Sequence, residues 1–143
     1  MRQFRPEKWI ANAAALFAVA VLAGCGSGAD IAPGRYRVSY EIQSDTCGVD
    51  PAEEDVVIDE NGELVLVIVG ADTENPRTYR GTREGSRIVA GLNLVVEACY
   101  EIDADLELRP RGSGFRGVLQ SIGFDCRTGA SCTVELRLDG RPG

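Results

Sequence analysis

Residues 92–108, LNLVVEACYEIDADLEL, contain the clearest alternation of side chains in this chain. One set of alternate positions is apolar: Ala98, Tyr100, Ile102, Ala104, Leu106 and Leu108. The other set is mainly acidic: Glu97, Cys99, Glu101, Asp103, Asp105 and Glu107. A period of two predicts β-structure with one buried and one exposed face. Because a single strand of this length is unusual, we expect a turn or bulge near Asp103-Ala104-Asp105.

The same period extends to both sides of this stretch. Residues 35–43 alternate between polar and apolar side chains, which predicts a half-buried strand. Asn61-Gly62 lies between the apolar runs 56–58 and 64–69 and predicts a β-hairpin, because both turn residues tolerate positive φ. A second hairpin is expected around Arg83-Glu84-Gly85. The pattern as a whole predicts an all-β domain, a small antiparallel barrel or sandwich of about eight strands.

The N-terminus has a different character. Arg2, Arg5 and Lys8 make it basic, and residues 13–22 form an uninterrupted apolar run. This run is shorter than the roughly 20 residues of a transmembrane helix and fits the apolar core of a secretory signal peptide. It ends in Leu22-Ala23-Gly24-Cys25, which resembles the lipobox of bacterial lipoprotein precursors.

The lipoprotein resemblance implies an organisation and a location. It implies that residues 1–24 are a signal peptide that is removed, that residues 25–33 are a lipidated cysteine and flexible tether, and that residues 34–143 form the all-β domain. Acyl chains on Cys25 would anchor the protein in a membrane, each buried CH₂ contributing roughly 0.8 kcal/mol. Since Gly26 follows Cys25, we expect the outer membrane, facing the periplasm or the surface, if the host has two membranes.

Charge narrows the classes of partner. The full chain has a net charge of −7, no His and a single Lys, Lys8. Removal of residues 1–24 takes away three of 15 basic and one of 22 acidic residues, which leaves a net charge of −9. Nucleic acid requires a basic surface, so we expect no nucleic-acid partner.

The cysteines agree with export. Besides Cys25 the chain has Cys47, Cys99, Cys126 and Cys132, an even number that predicts two disulfides in an oxidising compartment. Four cysteines allow three pairings. Only five residues separate Cys126 from Cys132, which favours that bridge and leaves Cys47 with Cys99.

The missing residue types exclude most catalytic chemistry. Without His, and without Lys after residue 24, the domain cannot form Ser-His, Cys-His or Schiff-base sites. A carboxylate-dependent hydrolase with two facing acids is the enzymatic alternative. We expect no catalytic residue, no enzyme activity and no cofactor.

Two groups of acidic residues are candidates for metal sites. The first is Asp50, Glu53, Glu54 and Asp55, and the second is the acidic face of residues 97–107. Weak Ca²⁺ binding is one interpretation of such oxygens. The expectation is instead a solvated face, paired with Arg80, Arg87 or Arg116, and no metal site. The cysteine spacing and the lack of His also disfavour zinc.

A second resemblance concerns the barrel. Gly34-Arg35-Tyr36 opens the first predicted strand, and Arg137 lies in the last. This arrangement is similar to lipocalin-like barrels, which begin with Gly-x-Trp and place an arginine over that aromatic ring. The resemblance implies a closed barrel with Arg137 over Tyr36.

These observations leave two main hypotheses for function. The first is a lipid-anchored envelope protein with a non-enzymatic structural or interaction domain that contacts a protein partner. The alternative is a lipocalin-like barrel that binds a small apolar ligand, which requires a cavity of about 300 Å³ or more.

Overall fold

The computed structural model describes residues 30–97 and 99–143, which form an eight-stranded barrel. The strands are β1 (Gly34–Asp45), β2 (Glu54–Asn61), β3 (Leu64–Val69), β4 (Arg77–Glu84), β5 (Arg87–Val96), β6 (Tyr100–Arg111), β7 (Gly114–Asp125) and β8 (Ser131–Pro142). Neighbours pair antiparallel in chain order, and β1 also pairs with β8. The all-β prediction is confirmed, and the barrel is the form adopted.

The predicted signal peptide, the lipobox and Cys25 lie outside the described residues. The predicted tether overlaps them only at residues 30–33. Within the described ranges, no helix combines the length and hydropathy that a membrane-spanning helix requires.

Alternate residues of every strand point into the barrel, as the period of two predicts. On β1, Tyr36 and Val38 are buried, whereas Ile42 near the other end of the strand is 46% exposed. All fully buried residues in the described part are apolar or tyrosine. The core is Ile31, Tyr36, Val38, Val56, Ile58, Val65, Val67, Val69, Tyr79, Ile88, Ala90, Ala104, Leu106, Leu108, Phe115, Leu119, Val134, Leu136 and Leu138.

Three tight hairpins lie at one end of the barrel, which we call the closed end. Asn61 pairs with Leu64, so the β2–β3 turn consists of Gly62 and Glu63. Gly62 has a φ of 65°, which fits a type II′ turn with glycine in the first central position. The hairpin prediction is therefore confirmed, but the turn is one residue later than Asn61-Gly62. The β4–β5 and β6–β7 hairpins have the same two-residue form.

The segment before β1 covers the closed end. Ile31 is 1% exposed, and its carbonyl oxygen accepts a hydrogen bond from the Arg83 guanidinium. The Tyr36 hydroxyl donates to the carbonyl of Ala32 at 2.5 Å. The Tyr36 ring meets Phe115 edge-on, with 5.0 Å between ring centroids. This end of the barrel is thus filled by aromatic and branched side chains.

The β5–β6 turn corrects the prediction for residues 92–108. The break lies between Val96 and Tyr100, which pair with each other, and Asp103-Ala104-Asp105 continues within β6. A three-residue turn keeps the parity of inward positions, since both paired residues face the same side. The alternation therefore runs through the turn without a visible change.

The disulfide pairing was also predicted wrongly, although all four cysteines are paired. The bridges are Cys47–Cys132 and Cys99–Cys126, with Cα–Cα distances of 5.1 and 5.5 Å. Strand register explains the difference. Cys132 is opposite Gly123 in the β7–β8 ladder, whereas Cys126 lies beyond β7 and its N–H bonds to the Cys99 carbonyl. Proximity along the chain did not indicate proximity across the barrel end.

Candidate functional site

A cavity of about 440 Å³ opens at the end of the barrel opposite the tight hairpins. This open end carries the longer β1–β2, β3–β4 and β7–β8 connections and the β5–β6 turn. The volume lies within the roughly 300–1,000 Å³ of small-molecule sites. Apolar and aromatic side chains from seven strands form its wall: Tyr40, Val69, Tyr79, Leu92, Leu94, Ile102, Leu119, Val134 and Leu136.

One polar cluster interrupts the apolar wall. The Glu54 carboxylate oxygen Oε1 accepts a hydrogen bond from the Tyr40 hydroxyl at 2.6 Å and from Arg77 Nη2 at 2.8 Å. Glu54 is the first residue of β2 and Arg77 the first of β4, and each points inward at the rim. The Glu54 side chain is 15% exposed and that of Arg77 39%. This cluster combines a paired charge with access to the cavity.

Gly70 makes room for the cluster. It has a φ of 75°, and a Cβ atom built there would lie 3.0 Å from Glu54 Oε2 and 3.3 Å from Arg77 Nη1. The second carboxylate oxygen of Glu54 therefore packs against the glycine backbone. A larger residue would strain the backbone and crowd both members of the ion pair.

Burial keeps the tyrosines of the cavity wall protonated. Desolvation, followed by the hydrogen bond to Glu54, raises the pKa of Tyr40 far above its usual value. Burial likewise raises the pKa of Tyr79. Among the described residues, the Tyr79 hydroxyl has no hydrogen-bond partner, so it remains a donor facing a mainly apolar space.

The β1–β2 loop is fixed over the cavity from two directions. The disulfide from Cys47 joins it to Cys132 of β8. The Asp45 carboxylate accepts the backbone N–H groups of Cys47, Gly48 and Val49 at 2.7, 2.9 and 2.8 Å. Residues 49–54 of this loop and strand line the cavity. The rim is therefore ordered in advance, which lowers the entropic cost of binding a ligand.

An ion-pair network outside the barrel ties this loop to the β3–β4 loop. Arg37 Nη1 lies 2.8 Å from Asp55 and 3.1 Å from Asp72, and Arg37 also contacts Glu53. Asp72 accepts the Asp55 N–H, and this bond, aided by Arg37, lowers the pKa of the Asp72 carboxyl. The network supports the rim from outside, and of these four residues Glu53 also lines the cavity.

The acidic residues of the first predicted group therefore separate. Glu54 enters the cavity wall, Glu53 lies at the mouth while pairing with Arg37, and Asp55 pairs with arginine on the outside. Asp50 lines the cavity from the loop and is exposed. Within residues 30–97 and 99–143, no group of three or more His, Cys, Asp or Glu side chains is arranged to hold a metal ion.

The second acidic group is a solvated face. Glu107 pairs with Arg87, as predicted, and with Arg109 at 3.0 Å. The Asn93 amide donates to Glu101 and Asp103 at 2.9 and 2.7 Å. In the described part of the chain, neither Arg80 nor Arg116 forms an ion pair with this face, which corrects that part of the expectation.

The arginine expected over Tyr36 is also not Arg137. Leu136 and Leu138 point inward on β8, so Arg137 points outward, where it lies 3.4 Å from Glu41. Arg83 of β4 is the arginine at the closed end, close enough for its charge to lower the Tyr36 pKa against the larger effect of burial.

The sequence interpretation missed the pairing of Glu54 with Arg77, although a signal was present. Glu54 and Glu60 share the inward parity of Val56 and Ile58, as Arg77 and Arg83 share that of Tyr79. Two acids and two arginines on inward positions of nearby strands indicate ion pairs inside a barrel.

The fold and the cavity together define a closed, eight-stranded, up-and-down barrel with one open end. Comparison with protein-family models, with curated proteins and with solved structures found no match to this chain.

Proposed function

We propose that this protein is a lipid-anchored envelope protein whose barrel binds a small, mainly apolar ligand at the open end. The observation that carries the proposal is the 440 Å³ cavity with its apolar wall and single polar cluster. This combination of a large apolar surface with a few polar groups is typical of small-molecule sites. The cavity favours the binding barrel over the structural or interaction domain that the sequence favoured.

The outer wall offers less support for a protein partner. Val95, Ile122 and Phe124 are 57%, 53% and 41% exposed. However, the strand register puts Glu101 between Val95 and Phe124, and Asp103 beside Ile122. These acids divide the apolar surface, and the core of a protein interface is depleted in charged residues.

An enzymatic role has less support than binding. The carboxylates that line the cavity are Asp50, Glu53 and Glu54, and Glu54 already bonds to Tyr40 and Arg77. Glu53 contacts Arg37 and Arg141. A hydrolase with two acids needs both carboxyl groups free to face the substrate, whereas Glu53 and Glu54 are both engaged by arginine. The proposal is therefore a binding function.

The anchor belongs to the proposal because the lipobox resemblance supports it and the two disulfides agree with an oxidising compartment. Intact-mass measurement of the chain purified from membranes tests it. We expect loss of residues 1–24 and a mass increase from acyl chains, and neither in the Cys25→Ser variant. An unprocessed, unacylated wild-type chain would contradict the anchor.

The ligand is tested with a variant that fills the cavity. Ser121 is a small residue of the cavity wall on β7, and Gln120 beside it points outward. We expect Ser121→Trp to lose a small molecule that co-purifies with the wild-type full chain in lipid nanodiscs. Gln120→Trp, the matched control, should retain it. Identical mass spectra of the extracts from all three proteins would contradict the proposed function.

A further inference from the structure

We propose that the cavity selects a neutral ligand with a hydrogen-bond acceptor, which the open-end donors Arg77 and Tyr79 bind, and rejects a carboxylate on the same apolar chain. This inference rests on the proposed binding function and names the chemical class of its ligand. It follows from the charges around the cavity and from the donors that remain free there.

The charges of the cluster already balance. Arg77 and Glu54 form one ion pair at 2.8 Å, and the Tyr40 hydroxyl adds a hydrogen bond to the same carboxylate oxygen. The other charged residues of the lining are the acids Asp50 and Glu53 at the mouth, and Glu53 is paired with Arg37 and Arg141. A ligand carboxylate would therefore meet Asp50, which forms no ion pair among the described residues, together with two acids and one arginine whose charges are already paired. Its charge would be removed from water without a partner, which is unfavourable.

The free polar groups of the wall are mainly donors. An arginine has five N–H groups, and within the described residues Arg77 uses one of them, on Glu54. The Tyr79 hydroxyl is a further donor on the same wall. Glu54 Oε2 and Arg77 Nη1 both pack against Gly70, so the donors that remain are the other N–H groups of Arg77 and the Tyr79 hydroxyl. An ester, amide or hydroxyl oxygen matches this set, since it accepts hydrogen bonds without adding charge.

A ligand with a cationic group is expected to bind more weakly than the neutral ligand and more tightly than the carboxylate. Asp50 at the mouth attracts it, since Glu53 is already paired with arginine, but deeper in the cavity it meets the Arg77 guanidinium. The predicted order of affinity for one chain length is therefore neutral ester first, ammonium second and carboxylate last. General hydrophobicity alone also favours the ester, so the test depends on how this order changes in charge variants.

The experiment uses three probes with the same ten-carbon chain, because 440 Å³ holds on the order of 15 non-hydrogen atoms at about 30 Å³ each. They are methyl decanoate, decylammonium and decanoate, titrated into the full chain in lipid nanodiscs. Chemical shifts of cavity amides such as Ser121 and Leu136 report binding. We expect methyl decanoate to bind wild type at least tenfold more tightly than decanoate.

Each probe also partitions into the lipid of the nanodisc, to the same extent for every variant. We therefore compare the ratio of the affinities of two probes between wild type and variant, in which this partition cancels. Glu54→Gln should raise the affinity for decanoate relative to the ester about tenfold. Arg77→Gln should raise the affinity for decylammonium relative to the ester about tenfold. This variant tests the inference if Glu54→Gln does not fold. Glu60→Gln, which alters the equivalent acid of β2 at the closed end, should leave both ratios unchanged.

Two outcomes have distinct meanings. Decanoate binding wild type as tightly as the ester, or ratios that stay within twofold in both Glu54→Gln and Arg77→Gln, would overturn the neutral-ligand inference while binding itself stands. No shift of any cavity amide with any probe would instead overturn the proposed binding function.

Discussion

The two ends of the barrel contain the same ion pair in different surroundings. At the closed end Arg83 contacts both oxygens of Glu60, at 2.6 and 2.9 Å, and also donates to the Ile31 carbonyl. At the open end Arg77 reaches one oxygen of Glu54, which it shares with Tyr40. Both acids lie on β2 and both arginines on β4. Arg83 makes three hydrogen bonds that hold the closed end, and its Nη1 is buried without a partner among the described residues, whereas Arg77 makes one bond and keeps donors accessible from the cavity.

Packing differs in the same direction. The closed end contains Phe115 against Tyr36 and the buried Ile31, whereas the open end contains the cavity. Both disulfides lie at the open end, on its loops and at the start of β8. The closed end is thus held by side-chain packing, and covalent bonds replace that packing where the interior is empty.

The largest expected effect comes from the covalent bonds. Replacing Cys47 and Cys132 with Ala should cost about 4–5 kcal/mol of unfolding free energy, because their loop spans 85 residues. The same change at Cys99 and Cys126, with a separation of 27, should cost about 3–4 kcal/mol. Urea unfolding of the full chain measures both.

Hydrogen exchange shows which part of the barrel loses stability in these variants. Both double variants should exchange faster in the open-end loops and stay protected near the Gly62 hairpin. Equal acceleration at the two ends would break the comparison between them.

A matched pair of leucines tests the packing. Leu108 at the closed end is 0% exposed, and Leu136 on the cavity wall is 8% exposed. Leu108→Ala should cost about 3–5 kcal/mol, since it opens a new void, and Leu136→Ala about 2 kcal/mol, since it enlarges an existing space. Equal losses in denaturant unfolding would contradict the difference in packing.

The two arginines test the ion pairs. Arg83→Met should lower the unfolding free energy by about 1–3 kcal/mol, because it removes hydrogen bonds to a carboxylate and to the Ile31 carbonyl. Arg77→Met should cost about 1 kcal/mol, because Arg77 makes a single hydrogen bond, is itself 39% exposed, and leaves Glu54 the hydrogen bond from Tyr40. A larger loss at Arg77 would show that the open-end pair is mainly structural.

The smallest expected effect is on the stability of the protein at low pH. The Arg83 hydrogen bond lowers the pKa of Glu60 below its ordinary value of 4.5 in the folded protein. Its stabilisation is therefore present above about pH 4.5 and is lost as the pH falls through the folded pKa. Glu60→Gln should reduce the fall in urea midpoint between about pH 5 and 3.

Asp72→Asn tests the corresponding open-end acid, because the Asp55 N–H and Arg37 lower the pKa of that carboxyl too. Each variant should remove part of the acid sensitivity. An unchanged pH profile in Glu60→Gln would mean that the closed-end pair does not contribute through the charge of its acid.

The sequence predicted the fold well because the period of two survives in every strand. It failed where the parity of positions mattered. Three residues connect Val96 to Tyr100, so the alternation of inward and outward positions continues and the sequence does not show the turn. Arg137 is at an outward position and contacts Glu41, so it cannot lie over the Tyr36 ring inside the barrel. The cavity forms where side chains from opposite walls of the barrel do not touch. The disulfide pairing depends on the register of the strands. Neither is encoded in local pattern.

The burial of Ile31 at the closed end also bears on how the barrel is oriented relative to the membrane. Cys25 precedes Ile31 by six residues, which span at most about 20 Å even when fully extended. With the lipid proposed on Cys25, the closed end is held beside the bilayer, and the mouth of the cavity opens away from it. The protein would then exchange its ligand with the aqueous space or an opposing surface, and not with the membrane that anchors it.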